Sequence, residues 1–304
     1  MNYQSTSRRA FIKTLGAAVA VAGLPFEQAL AAKTRKVKIG HTGITWRNSD
    51  ADQAIKDIGG LGFYGYETFG EVLQRKDTEG NLAQLLEANH VPLISGYCTI
   101  NLTDATKRTD ELAKASAFAK VIKKYGGRIF VLGPNGVHRD TYDYKANKDN
   151  IVSMCNEVAK TAAGEGLTAV LHQHTGTCVE SRDETYATLD AVDTKVLKFG
   201  PDVGQLTKGG TDAVKVVKDY LSIVQHMHLK DYNGKDDRLL GYCPLGQGNV
   251  NVAAILDLMN GRQISGMIMV ELDNNFRDPS PTSPHDLAAQ SVKYLKSIGV
   301  KLRT

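Results

Sequence analysis

The chain has 304 residues, four cysteines and 42% hydrophobic content, enough for one large core and, in an α/β barrel, for a single domain. Its formal charge of +4 drops by half once Arg8, Arg9, Lys13 and Glu27 of segment 1–32 are set aside. The remainder is too nearly neutral to point to a nucleic-acid partner or a membrane surface.

The first stretch reads as an address. Ser7-Arg8-Arg9-Ala10-Phe11-Ile12-Lys13 fits the twin-arginine pattern, the apolar run Ala17–Leu24 follows, and Ala29-Leu30-Ala31 forms a small-residue cleavage site. The run is too short for a permanent membrane anchor. The expectation is a signal peptide over 1–32, a catalytic domain over 33–304 and a periplasmic mature protein. Cys98, Cys155, Cys178 and Cys243 are widely spaced without a CxxC. Free thiols are the simplest reading, although export permits disulfides.

Beyond the signal, β-rich runs alternate with helical patterns. Strands are expected over Val37–Gly43, Gly65–Thr68, Val91–Tyr97, Arg128–Leu132, Thr168–His172, Val196–Asp202, Ile223–Lys230 and Met267–Leu272. Helices are expected over Asp50–Leu61, Leu82–Asn89, Asp110–Tyr125, Asp149–Gly164, Arg182–Val192, Thr211–Tyr220, Val252–Met259 and Pro284–Ile298. About eight βα repeats imply a (β/α)₈ TIM barrel. An open doubly wound sheet is the alternative, but it often carries a glycine-rich phosphate turn after its first strand. Gly40-His41-Thr42-Gly43 is not GxGxxG, which argues against a dinucleotide.

In a TIM barrel the site lies at the C-terminal strand ends, so scattered residues become neighbours. His226 and His228 share a strand face. The fifth strand leads into His172, His174 and Glu180, and the sixth ends in Asp202 and Gln205. The eighth ends in Glu271 and the second in Glu67. Charges after apolar strands are costly to bury unpaired. A divalent cation held by Glu180, Asp202, His228 and Glu271 resolves several such conflicts. One imidazole with three carboxylates suits Mn²⁺ first, then Mg²⁺ or Co²⁺, with Zn²⁺ less favoured.

These motifs resemble those of the xylose-isomerase-like TIM-barrel superfamily, nearest its inosose dehydratase and sugar epimerase branches. The matching pieces are Gly43–Asn48, Gly62–Glu67, His172–Glu180, Asp202–Gln205, His226–Asp231, Leu245–Gly248 and Val270-Glu271. The resemblance places Glu180, Asp202, His228 and Glu271 on metal-ligand positions. Gln205 departs from the pattern: many epimerases carry a histidine there, and an amide donates to a hydroxyl but is neither acid nor base.

The expected chemistry is removal of the proton beside a ketone, followed by epimerisation, isomerisation or elimination through an enolate-type intermediate. Glu180 and Glu271 are the ligand-plus-base candidates, and His174 and His172 the candidates for proton delivery. His172, Gln205, His226, Lys230 and Glu67 are the candidates for substrate contact. Lys230 paired with Asp231 is the structural alternative. Export and the lack of an arginine cluster point to an unphosphorylated keto-sugar or keto-glycoside as the small-molecule partner. A homo-oligomer is left open. The alternatives are a non-catalytic sugar-binding barrel and an endonuclease-like hydrolase. The hydrolase would need further His and Glu ligands and a basic face.

Overall fold

A computed structural model describes residues 34–303, so the segment 1–32 and its signal reading lie outside the described residues. Eight parallel strands form the barrel: β1 (Ile39–Thr42), β2 (Tyr66–Phe69), β3 (Leu93–Ile100), β4 (Ile129–Pro134), β5 (Thr168–Leu171), β6 (Leu197–Phe199), β7 (Met227–Leu229) and β10 (Ile268–Val270). Their order is β6-β5-β4-β3-β2-β1-β10-β7. Single parallel bridges, Phe199 to Val224 and Asp202 to His228, join the two ends of the sheet. The (β/α)₈ expectation holds. Between β7 and β10 lies an antiparallel hairpin, β8 (Asp231–Tyr232) with β9 (Tyr242–Cys243), which no sequence pattern announced.

Alternation sorts the strand residues. On β4, Ile129 and Val131 pack with Tyr97 and Val170 in a small inner cluster, whereas Phe130 and Leu132 join the large cluster facing the helices. The outer layer comprises α1 (Ala51–Gly60), α2 (Gly70–Glu79), α3 (Leu82–Ala88), α4 (Arg108–Lys124), α5 (Tyr144–Gly164), α6 (Arg182–Leu189), α7 (Val203–Lys208), α8 (Ala213–Asp219), α9 (Val252–Met259) and α10 (Pro284–Ser297). α5 starts at Tyr144, ahead of the expected Asp149, because the Asp143 side chain caps the Lys145 and Ala146 amides. Ser181 and Glu184 form a capping box that starts α6.

Helix α2 escaped the sequence reading because its core-facing stripe is broken by a cation. Lys76 is 2% exposed, and its ammonium lies 2.6 Å from Asp52 and 2.5 Å from Glu79. All four cysteines are free and buried. Among the described residues no helix is long and apolar enough to cross a membrane.

Candidate active site

Each strand end delivers its side chain for a local reason. Asp202 caps α7: its Oδ1 accepts from the Gly204 and Gln205 amides at 2.8 and 2.9 Å, which leaves Oδ2 outside the cap. The bridge to β7, with the His228 amide donating to Pro201 O at 2.9 Å, sets Asp202 beside His228. His172 follows β5 and Glu271 follows β10, anchored by amide bonds to Leu132 O (2.9 Å) and Leu229 O (3.2 Å). His226 and His228 do share a face, and both are fully buried.

These groups converge. One donor atom each from His172, Asp202 and His228 lies within 4.8 Å of the other two. His228 Nδ1 is 2.9 Å from Glu271 Oε2, but off the line of a hydrogen bond. Both ring nitrogens of His172, Asp202 Oδ2, Glu271 Oε2 and both ring nitrogens of His228 are buried without a hydrogen-bond partner. Native proteins rarely leave such atoms orphaned unless something else completes them. Lys230 lies alongside, its ammonium 3.0 Å from Asp202 Oδ2, 2.5 Å from Glu271 Oε1 and 3.1 Å from Asp273 Oδ2. It does not pair with Asp231, which points to the opposite face and accepts from loop amides.

Electrostatics divides the two central imidazoles. Burial, reinforced by His228, pushes His172 well below the usual histidine range and keeps it neutral. At His228 burial works in the same direction but Glu271 and Glu67 outweigh it, so the ring is held well above that range. Burial raises the Asp202 carboxyl against the pull of Lys230. At Glu271 burial loses to His228 and Lys230, and the group is held well below the carboxylate range.

Above this centre sits a polar rim. Thr175 donates from N and Oγ1 to Gln205 Oε1 at 3.3 and 2.6 Å, which turns the Gln205 amide nitrogen toward His174 Nε2 (2.7 Å) and Asp273 Oδ2 (3.4 Å). His174 Nδ1 meets Thr175 O at 2.7 Å, so Nδ1 carries the hydrogen and Nε2 the lone pair. The Tyr242 hydroxyl from β9 is buried without a partner, and Lys230 Nζ lies 4.8 Å from the centre of its ring.

The sequence of the chain from residue 54 to residue 298 matches the model of the xylose isomerase-like TIM barrel. The chain belongs to that family. Among curated relatives of this xylose isomerase-like barrel, the inosose dehydratase of Clostridium perfringens (strain 13 / Type A) is 25% identical over 295 residues, covering 86% of this chain and 97% of the relative. Among solved structures, the IolI protein with a bound zinc atom aligns with a TM-score of 0.69 at 14% identity, over 86% of this chain and 98% of that one. The apo 3-keto-D-glucoside 4-epimerase of E. coli aligns with a TM-score of 0.68 at 14% identity, over 86% and 100%.

The fold therefore gathers Asp202, His228, Glu271, His172 and Lys230 at one centre. His174 and Gln205 stand at the rim. Glu67 and His226 lie beneath, fully buried, where they touch other side chains rather than a cleft. Glu180 stands apart. Its carboxylate accepts from the Gly176 amide, lies 3.4 Å from Arg139 Nε, and its side chain is 25% exposed. The sequence had placed Glu180 among the ligands, but the turn at Thr175–Cys178 carries it to the start of α6 instead. Asp273 and Tyr242 were missed. Asp273 carried one legible signal, its place two residues after Glu271 on the same strand-end face.

Proposed function

We propose that this chain is a divalent-metal-dependent enzyme acting on an unphosphorylated keto-sugar or keto-polyol. It removes the proton beside the carbonyl and completes the reaction by eliminating water or another β-substituent, with epimerisation as the second outcome of the same step. One observation carries this reading: His172, Asp202 and His228 bring donor atoms within 4.8 Å of one another, Glu271 Oε2 lies 2.9 Å from His228 Nδ1, and all four residues hold buried polar atoms without a hydrogen-bond partner. Full-length similarity to inosose dehydratases supports elimination, and similarity in fold to a keto-glucoside epimerase agrees with the shared first step.

The donor set fits a cation. Two imidazoles and two carboxylates match the charge of a divalent ion, and His172 takes the place that Glu180 held in the sequence reading. A second imidazole makes Co²⁺ and Zn²⁺ as suitable as the Mn²⁺ favoured from the sequence. Bound there, the ion would supply Lewis acidity that makes the proton beside a carbonyl labile.

The chain's own residues do the rest. Lys230 donates to a substrate oxygen while Asp202, Glu271 and Asp273 keep it charged. His174 offers Nε2 as the base or proton carrier once substrate displaces the Gln205 amide. Tyr242 supplies a hydroxyl to the leaving side. Glu180, tied to Arg139, shapes the rim rather than holding the ion. The twin-arginine pattern at Ser7–Lys13 supports a periplasmic location for this activity.

The test is proton exchange. Protein loaded with Mn²⁺, Co²⁺ or Zn²⁺ is incubated in D₂O with an inosose and with a 3-keto-glucoside, and the α-position is followed by NMR. Deuterium incorporation, with or without elimination, is expected for at least one pair. Absence of exchange under every metal would sink the proposal.

A further inference from the structure

Glu67 lies in the middle of a buried network that joins three strands. Its Oε2 accepts from His226 Nε2 at 2.9 Å and from the Ser95 hydroxyl. The His226 tautomer is set independently, since its Nδ1 accepts from the Met267 amide at 3.3 Å; Nε2 therefore bears the hydrogen given to Glu67. With both of those donors on Oε2, Glu67 Oε1 is left without a hydrogen bond, and so is the His228 Nε2 beside it. The two atoms face each other at 2.7 Å. Glu67, Ser95, His226 and His228 are all fully buried, and the close polar contacts of this carboxylate are with side chains of the network itself.

We infer that Glu67 is a positioning residue that takes the Nε2 hydrogen of His228 and so turns the Nδ1 lone pair toward Asp202, His172 and Glu271. This rests on the metal reading proposed above and assigns Glu67 a different task from hydroxyl binding. The physical basis is the pairing of a ligating imidazole with a carboxylate on its far nitrogen, which selects the tautomer and holds the ring in place. A glutamine at this position cannot do the same. Its single oxygen is needed by Ser95 and His226, so its amide nitrogen faces His228 Nε2 and forces that nitrogen to accept. The hydrogen then moves to Nδ1 and the lone pair is lost from the ion site.

The experiment compares wild type, Glu67→Gln and Ser95→Ala. Mn²⁺ affinity is measured by competition with a chromogenic chelator. Imidazole ¹⁵N spectra are recorded on ¹¹³Cd²⁺-loaded protein. Expected are a ~10–100-fold weaker Mn²⁺ affinity for Glu67→Gln and a change of less than about threefold for Ser95→Ala, which leaves Oε1 untouched. In wild type the ¹¹³Cd coupling should fall on His228 Nδ1, with a retained Nε2–H. Equal Mn²⁺ affinity in wild type and Glu67→Gln, or cadmium coupling to His228 Nε2, would overturn the role of Glu67 alone. Wild-type protein that binds neither ion would overturn the metal reading beneath it. Should Glu67→Gln fail to fold, the wild-type cadmium spectrum still decides.

Discussion

Asp231 offers a test of how the site's surroundings are held, independent of any ligand. Its side chain is fully buried, and it accepts four backbone amides. Gly246 and Gly248 donate to Oδ2, each at 2.9 Å. Tyr232 and Val250 donate to Oδ1 at 2.9 and 3.0 Å. The loop 244–250 is thus wrapped around one carboxylate. It comes so near that a Cβ on Gly248 would collide with Asp231 Oδ1, which explains the glycine. Hydrogen bonds to a charged group contribute ~1.5–3 kcal/mol each, and buried amides left without partners cost about 1–3 kcal/mol. Four donors sharing two oxygens do not add independently. Asp231→Ala should therefore destabilise the fold by about 3–5 kcal/mol. At roughly 2 °C per kcal/mol for a domain of this size, Tm falls by about 6–10 °C. Asp231→Asn keeps one acceptor oxygen and should lose about half as much. Urea unfolding with amide hydrogen exchange at Gly246, Gly248 and Val250 is the assay, and those three amides should lose protection first. A change below about 1 kcal/mol for Asp231→Ala, with protection unchanged, would refute the reasoning.

Three further outcomes follow from the geometry. His172→Ala should lose the bound divalent ion in elemental analysis, whereas Glu180→Ala should keep it; the reverse result would restore Glu180 as the ligand. Lys230→Met removes the ammonium that pairs with Asp202, Glu271 and Asp273, so the metal-free protein should lose about 3–5 kcal/mol, as expected when one member of a buried charge group is deleted. Added divalent ion should recover part of that loss, and an unchanged metal-free Tm would contradict the ion-pair account. At Lys76 burial works to lower the ammonium pKa, but Asp52 and Glu79 outweigh it and hold it raised. A raised folded-state value means that this contribution is complete below the ordinary lysine pKa and fades as pH climbs past it. Lys76→Met should therefore flatten the alkaline side of the stability–pH curve, and an identical alkaline limb would rule the pair out.

Strands such as β4, β5 and β10 were legible because each carries a compact apolar run, and a short strand buried on both faces needs little else to be recognised; β1, β2 and β6, with His41, Glu67 and Lys198 inside them, were legible from their place between helical patterns. Helix α2 was hidden because Lys76 fills a core position through ion pairs that only the folded chain brings together. Asp202, His228 and Glu271 were legible as strand-end polar groups following apolar residues. The segment from His172 to Glu180 offered several donors, and sequence could not choose among them. Gly176, with φ of 79°, and the bond from the His174 amide to Val179 O at 3.1 Å fold this stretch back on itself. His172 is thereby left inside while Glu180 moves to the rim. Tyr242 comes from a hairpin whose placement depends on Asp231 and the loop around it, a contact between distant parts of the chain. Glu67 was found as a strand-end acid but given a hydroxyl-binding role, because its burial between two histidines has no signature in a single strand.

Crystals soaked in Mn²⁺ and measured for anomalous scattering at the manganese edge test the central claim most directly. The account expects one strong peak in contact with His172, Asp202, His228 and Glu271, and its loss in the His228→Ala protein. A peak seated instead at Glu180, or an empty map around His228 at saturating Mn²⁺, Co²⁺ and Zn²⁺, would contradict it.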